Sequence, residues 1–276
     1  MTAPDIGLER VSFRYPDGTL ALDGVDLQIP PGECLAIIGQ NGSGKSTLGR
    51  QLNGLLRPTS GRVTFAATDI RSQHVATLAR TVGLVFQNPD RQIFGGSVRA
   101  EVAFGPRNLG RRGEALDGAV ASALAAVGLA DRADENPYDL GYSRRKLLAL
   151  ASILAMETDV VVLDEPTTGQ DADGVERVRR IVGERAAAGR TVIAISHDIR
   201  FVAETFRRVA VMRNGRVVLD GTPDEVFAEA SWPILASTFL EPPLAARVGA
   251  RLGLGRTPTE AALVSALMAA ARGGRP

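Results

Sequence analysis

Apolar residues along this chain gather in short unbroken runs, separated by stretches in which they recur at helical spacing. CLAIIG (34–39), TVGLVFQ (81–87), DVVVLDEP (159–166) and TVIAISH (191–197) are dense runs of this kind. A strand buried on both faces needs such a run, because neither face meets water. IGLERVSF (6–13) and VDLQI (25–29) alternate more loosely and predict two further strands. RPTSGRVTF (57–65) predicts a turn into an edge strand. RVAVMRNGRVVLDG (208–221) predicts a hairpin turning at Asn214-Gly215, residues that tolerate positive φ. Helices are predicted over KSTLGRQLNGLL (45–56), over VERVRRIVGERAAAG (175–189) and in the stretch ending at Phe206.

The pattern changes between about residues 95 and 156. This region is Ala-rich and helical, with AVASALAAVGL (119–129) and RRKLLALASILAM (144–156) its clearest segments. It predicts a helical insert in an α/β body with a largely parallel sheet. After Gly221 the pattern is helical with Pro breaks, as in a C-terminal extension. The division expected is therefore 1–222, containing the insert, and 223–276.

Composition narrows the class. Apolar residues make up 45% and charged residues 23%, enough for a sizeable core. The formal net charge of +1 argues against nucleic-acid binding by bulk electrostatics. The single cysteine, Cys34, opens an apolar run and is expected to be a buried small hydrophobe. No run approaches the ~18 apolar residues of a membrane span. The start, MTAPDIGLERVSF, lacks the layout of a signal peptide, so a cytosolic chain that docks on a membrane protein is expected. Only two of the 32 basic residues are lysines, Lys45 and Lys146.

Lys45 sits in GQNGSGKST (39–47), a G-x-x-x-x-G-K-[ST] turn directly after a buried strand and before a helix. Its glycines let the backbone curl with N–H groups pointing inward around a phosphate, and the helix N-terminus adds a positive end. Gly39, Gln40, Asn41, Gly42, Ser43, Gly44, Lys45, Ser46 and Thr47 are thus the candidate nucleotide cradle. Lys45 is placed to reach the β- and γ-phosphates, and Ser46 to ligate Mg²⁺. Asp164 ends the apolar run VVVLD, at the carboxyl edge of the sheet, where a carboxylate holds Mg²⁺ through water. Glu165, the next residue, points elsewhere and is the candidate for orienting an attacking water. Of the two histidines, His74 lies in a polar stretch and reads as surface, whereas His197 follows TVIAIS.

With these motifs in order, residues 6–222 resemble the ATP-binding cassette (ABC) ATPases. The resemblance implies a P-loop NTPase fold with a mainly parallel core sheet, an antiparallel β part and a helical subdomain. It implies that Tyr15 in FRYPDG stacks on adenine, and that Gln87 in VFQNPDRQIF senses Mg²⁺ and a transmembrane partner. It likewise makes Asp171 in LDEPTTGQD the D-loop acid and His197 the switch histidine contacting the γ-phosphate. FQNPDRQIFGGSVRAEVAFGPRNLG and ASILAMETDVVVLDEPTTGQD further resemble ATPase subunits of energy-coupling factor (ECF) and cobalt or nickel importers. Those work as ATPase pairs with a transmembrane coupling subunit and a membrane substrate-binding subunit, importing vitamins or metal ions. Two alternatives remain open: a classical ABC importer or exporter subunit, and a non-transport ABC ATPase acting on DNA or ribosomes.

One motif departs from the pattern. Aligned through ASILAM, the LSGGQ-like signature falls on Leu140, Gly141, Tyr142, Ser143 and Arg144. In the family this motif closes over the partner's ATP. Gly141 replaces the phosphate-binding Ser, and Tyr142 puts a ring where a glycine with positive φ is expected. Losing one hydrogen bond to a charged group costs about 1.5–3 kcal/mol. The helix dipole remains and Arg144 offers positive charge. A weakened signature beside a complete P-loop favours pairing with a paralogue in a heterodimer.

Overall fold

The computed structural model describes residues 3–273 of the 276, so the extreme ends of both expected divisions lie outside the described residues. Ten strands are present among the described residues: β1 (Ile6–Arg14), β2 (Leu20–Ile29), β3 (Cys34–Gly39), β4 (Ser60–Phe65), β5 (Thr68–Asp69), β6 (Val82–Val85), β7 (Val160–Asp164), β8 (Thr191–Ile195), β9 (Arg208–Arg213) and β10 (Arg216–Gly221). They form two sheets. A six-stranded sheet runs β10-β9-β3-β8-β7-β6, and a four-stranded one runs β2-β1-β4-β5. The first is parallel except for β10, which returns from β9 through the Asn214-Gly215 turn. The second is antiparallel throughout.

Why the apolar runs become central strands is visible in their alternation. Ala36 and Ile38 of β3 point into one core, with Val161 and Leu163 of β7. Leu35 and Ile37 point into the other, with Val160 and Val162. Both faces are covered, so successive residues serve different cores, and the polar residues of β7 and β8 are confined to strand ends, at Asp164 and Thr191. The antiparallel sheet and the helix Lys45–Leu52 close one side. The helical insert closes the other, with helices Val98–Asn108, Gly113–Val127 and Tyr142–Leu154. Residues after 222 add Val226, Phe227, Leu235 and Ala246 to this second core.

Three expectations are corrected. The strand at 60–65 is not an edge: it lies between β1 and the two-residue β5, which takes the edge. The helix expected over 45–56 stops at Leu52, because Asn53 leaves the helical region and Gly54 turns with φ 75°. The run 81–87 gives a strand of only four residues, because Thr81 still belongs to the helix Val75–Thr81.

Register positions the chemistry. In the parallel sheet Asp164 of β7 pairs with Ile195 of β8, and Ile37 of β3 also pairs with Ile195. The carboxyl ends of three adjacent strands therefore lie side by side. Gly39, Glu165 and His197 all emerge there, at the edge where α/β sheets place their ligands.

Candidate functional site

The turn after β3 is built to curl. Gly44 has φ 101°, and a Cβ there would collide with the Ala21 carbonyl, so only glycine fits. Lys45 is buried, and its ammonium donates to the carbonyls of Gly39 at 2.7 Å and Gln40 at 2.9 Å. Burial pushes its pKa down, opposed by the charges of Glu165 and Asp164. The ammonium is thus held over its own loop by neutral carbonyls, partners that an incoming phosphate can outcompete.

Ser46 Oγ donates to Asp164 Oδ1 at 3.2 Å. The Asp164 carboxylate is buried, which pushes its pKa up, and the Ser46 bond offsets part of that. A buried carboxylate beside a hydroxyl, with the Gln87 amide lining the same groove, is an all-oxygen set suited to a hard cation. Among the described residues no cluster of three or more His, Cys, Asp or Glu could hold a metal by itself. Such a cation would draw its other ligands from phosphate and water, as Mg²⁺ does.

Glu165 adopts φ 52°, a left-handed conformation that costs a non-glycine residue about 1–2 kcal/mol. Three contacts hold it. Its N–H donates to the Ile195 carbonyl at 2.8 Å, its own carbonyl accepts from Lys146 Nζ, and Thr168 Oγ1 donates to its carboxylate at 3.3 Å. The turn sends the buried carboxylate away from Asp164 toward His197, whose Nδ1 lies 2.7 Å from Glu165 Oε2. The His197 side chain is 59% exposed, leaving its outer edge open to a ligand.

Lys45, Ser46, Thr47, Gln87 and Glu165 line one cavity of about 270 Å³ together with Tyr15. Tyr15 stands edge-on to Phe13, and its hydroxyl shares a 3.0 Å hydrogen bond with Thr47 Oγ1. Its ring is therefore fixed at the mouth of the cradle. Asp171 caps the helix Ala172–Ala187 through Gly174 N–H at 2.8 Å, and His74 is exposed.

The signature residues do not line this cavity. Leu140 is core. Tyr142 does not have positive φ, correcting the expectation of strain: it is the first helical residue, and Gly141 before it is extended at φ −61°, ψ 159°. The open space around Gly141 would admit a serine. Arg144 is exposed. Tyr142, which remains 40% exposed, and Ser143 engage the D-loop. The Tyr142 ring lies over Gly169, where an added Cβ would approach its Cε1 to 2.7 Å. Ser143 Oγ donates to Gln170 Oε1 at 2.7 Å, and Gln170 Nε2 returns a bond to the Ser143 carbonyl at 3.1 Å.

Sequence reasoning missed the residues that tie this helix down. Lys146 Nζ donates to the carbonyls of Glu165 and, at 2.9 Å, Thr168. Its burial pushes its pKa down to about 8. On the other flank Gln92 accepts from Phe86 N–H and donates to the Ala149 carbonyl at 2.7 Å, while Arg145 pairs with Asp90 at 3.2 Å. The one available signal was the rarity of lysine, which marks Lys146 as it marks Lys45.

Comparison with known proteins agrees with this geometry. Residues 22–168 match the family model described as ABC transporter. The energy-coupling factor transporter ATP-binding protein EcfA of Methanocaldococcus jannaschii is 42% identical over 219 residues, 79% of this chain and 78% of that protein. A Methanosarcina acetivorans protein described as an ABC transporter ATP-binding protein is 42% identical over 247 residues, but the chain spans only 40% of its length. Among solved structures, CbiO1 of Clostridium perfringens, part of the ABC transporter complex CbiONQ, superposes with a TM-score of 0.74 at 37% identity. That match covers 90% of this chain and 98% of CbiO1. A dimeric ATP-binding cassette in a post-hydrolysis state with ADP and phosphate gives 0.72 at 25% identity, over 79% of this chain and 98% of that one. The family model and these relatives show that the chain belongs to the ABC transporter family, and it is similar to the ATP-binding proteins EcfA and CbiO1.

Proposed function

We propose that this chain powers import of a vitamin or metal ion through an ECF-type membrane complex. It would work at the cytoplasmic face beside a second cassette, a transmembrane coupling subunit and a membrane substrate-binding subunit. The observation that carries the catalytic part is the Glu165–His197 contact of 2.7 Å, at the edge of the cavity that Lys45 and Ser46 line. Lys45 leaves the Gly39 and Gln40 carbonyls for the β- and γ-phosphates. Tyr15 takes the adenine. Ser46, Asp164 and Gln87 would hold Mg²⁺, which would supply neutralisation of the phosphate charge. Glu165 orients the attacking water, and His197 fixes the Glu165 carboxylate while its exposed edge meets the γ-phosphate.

The identity to EcfA and CbiO1 favours an ECF-type complex over other ABC transporters. The residues around Gln87 to Phe94 would transmit the nucleotide state to a helix of the coupling subunit. The division at 222 and 223 is our reading of where the cassette ends. The near-neutral charge is consistent with the absence of a nucleic-acid partner. A signature bonded to its own D-loop is a poor donor to a partner's phosphate, which favours a heterodimer whose second cassette has an intact signature.

Capture of the tagged chain from native membranes, with identification of bound subunits, tests this reading. A second cassette and membrane-spanning subunits are expected. Recovery with ribosomes or DNA, and without membrane subunits, would overturn it.

A further inference from the structure

Lys146 stands out on three counts. It is one of two lysines in a chain whose other basic residues are all arginine. It is buried, at 4% exposure, where a charge is costly. And its ammonium does not meet a carboxylate: it donates to two backbone carbonyls, those of Glu165 and Thr168. These bracket the turn that carries the Glu165 carboxylate, and Glu165 is the residue there with φ 52°.

A left-handed glutamate left to itself relaxes toward negative φ, which swings its side chain. The contacts from Ile195 and Thr168 act on the Glu165 amide and carboxylate. Among the described residues only Lys146 holds the Glu165 carbonyl, and it does so from the helix Tyr142–Leu154. The same helix grips the D-loop through Tyr142 and Ser143, and the Gln87 loop through Gln92 and Arg145. A compact ammonium with three donors can serve two converging carbonyls in a tight space, whereas a planar guanidinium is larger and fixed in shape.

We propose that Lys146 is a positioning residue for ATP hydrolysis: it locks the Glu165 backbone so that the carboxylate faces His197, and thereby couples the pose of the signature helix to turnover at this chain's own nucleotide site. This rests on the reading of Glu165 as the residue that orients water. Lys146 does not line the cradle cavity and spends its ammonium on two backbone carbonyls, so its removal lowers turnover without lowering nucleotide affinity.

The test is a double-mutant cycle on the full chain in its captured membrane complex, with single-turnover ATP hydrolysis and nucleotide titration for each variant. Lys146→Met keeps the length of the stem and removes the donors. It is expected to slow hydrolysis roughly ten- to a hundredfold, the scale of a small misplacement of a catalytic group. The ATP dissociation constant should stay within about twofold, and Lys146→Gln, which keeps an amide donor, should fall between. In a Glu165→Gln background the same change should slow the residual rate less than about twofold, because the group it positions is gone. Equal slowing in both backgrounds would overturn the proposal, as would normal turnover of Lys146→Met. If Lys146→Met does not fold, the same two comparisons are made with Lys146→Gln. Glu165→Gln alone distinguishes the two readings: full turnover there would remove the underlying role of Glu165, whatever Lys146 does.

Discussion

At the scale of single residues, the chemistry follows from where burial and hydrogen bonding leave each charge. Lys45 is held by neutral carbonyls and is therefore available to phosphate. Lys45→Ala is expected to weaken ATP binding by about 1.5–3 kcal/mol, the loss of a charge-assisted contact. Calorimetric titration checks this, and an unchanged dissociation constant would mean that the turn is not the cradle. Glu165→Gln keeps the shape of the side chain and removes its charge. It should leave ATP binding intact and abolish most turnover. Cys34 is a different case, far from any reaction. Burial pushes its thiol from the ordinary 9.0 up to about 11. Its folded pKa is the raised one, so this contribution to stability is full below pH 9 and is lost as pH rises through about 11. Thiol reagents at pH 8 should modify it only after denaturation. The P-loop, the paired acids and His197 were legible in the sequence because each is a local string beside a buried strand. Lys146, Gln92 and Gln170 were not, because their partners lie 19, 57 and 27 residues away.

At the scale of elements, the helix Tyr142–Leu154 is the part that sequence reading described least well. Its start was legible, but its first turn was read through glycines it does not have. The expected strain at Tyr142 does not exist, because the residue sits at an ordinary helical position and lays its ring over Gly169. Two substitutions toward LSGGQ should therefore act in opposite directions on stability. Gly141→Ser occupies open space at the N-cap and should stabilise by a few tenths of a kcal/mol. Ser143→Gly removes the hydroxyl bond to Gln170, keeps the carbonyl that accepts from Gln170, and places glycine in a helix, and should cost about 1–2 kcal/mol. Urea unfolding of both variants checks the pair, and equal effects of the same sign would contradict this account of the D-loop contacts. The strand at 60–65 was misplaced for a related reason. Its alternation reveals one buried face, but nothing local announces the two-residue β5 that covers its free side.

At the scale of the whole molecule, the sheet order brings Gly39, Glu165 and His197 to one edge, and the signature lies apart from that cavity. In the heterodimer proposed above, a complete P-loop and a signature engaged with its own D-loop would make the two sites unequal. Restoring LSGGQ in this chain should then raise activity only modestly, because the stronger site uses this chain's P-loop and the partner's signature. Robust turnover by this chain as a purified homodimer would refute that asymmetry. The most direct test of the account is ATP turnover by the membrane complex captured through this chain, measured with Glu165→Gln here and with the equivalent change in the partner cassette. The change in this chain is expected to remove most turnover, and the change in the partner much less. Equal losses from the two sides, or full turnover with Glu165→Gln in this chain, would contradict it.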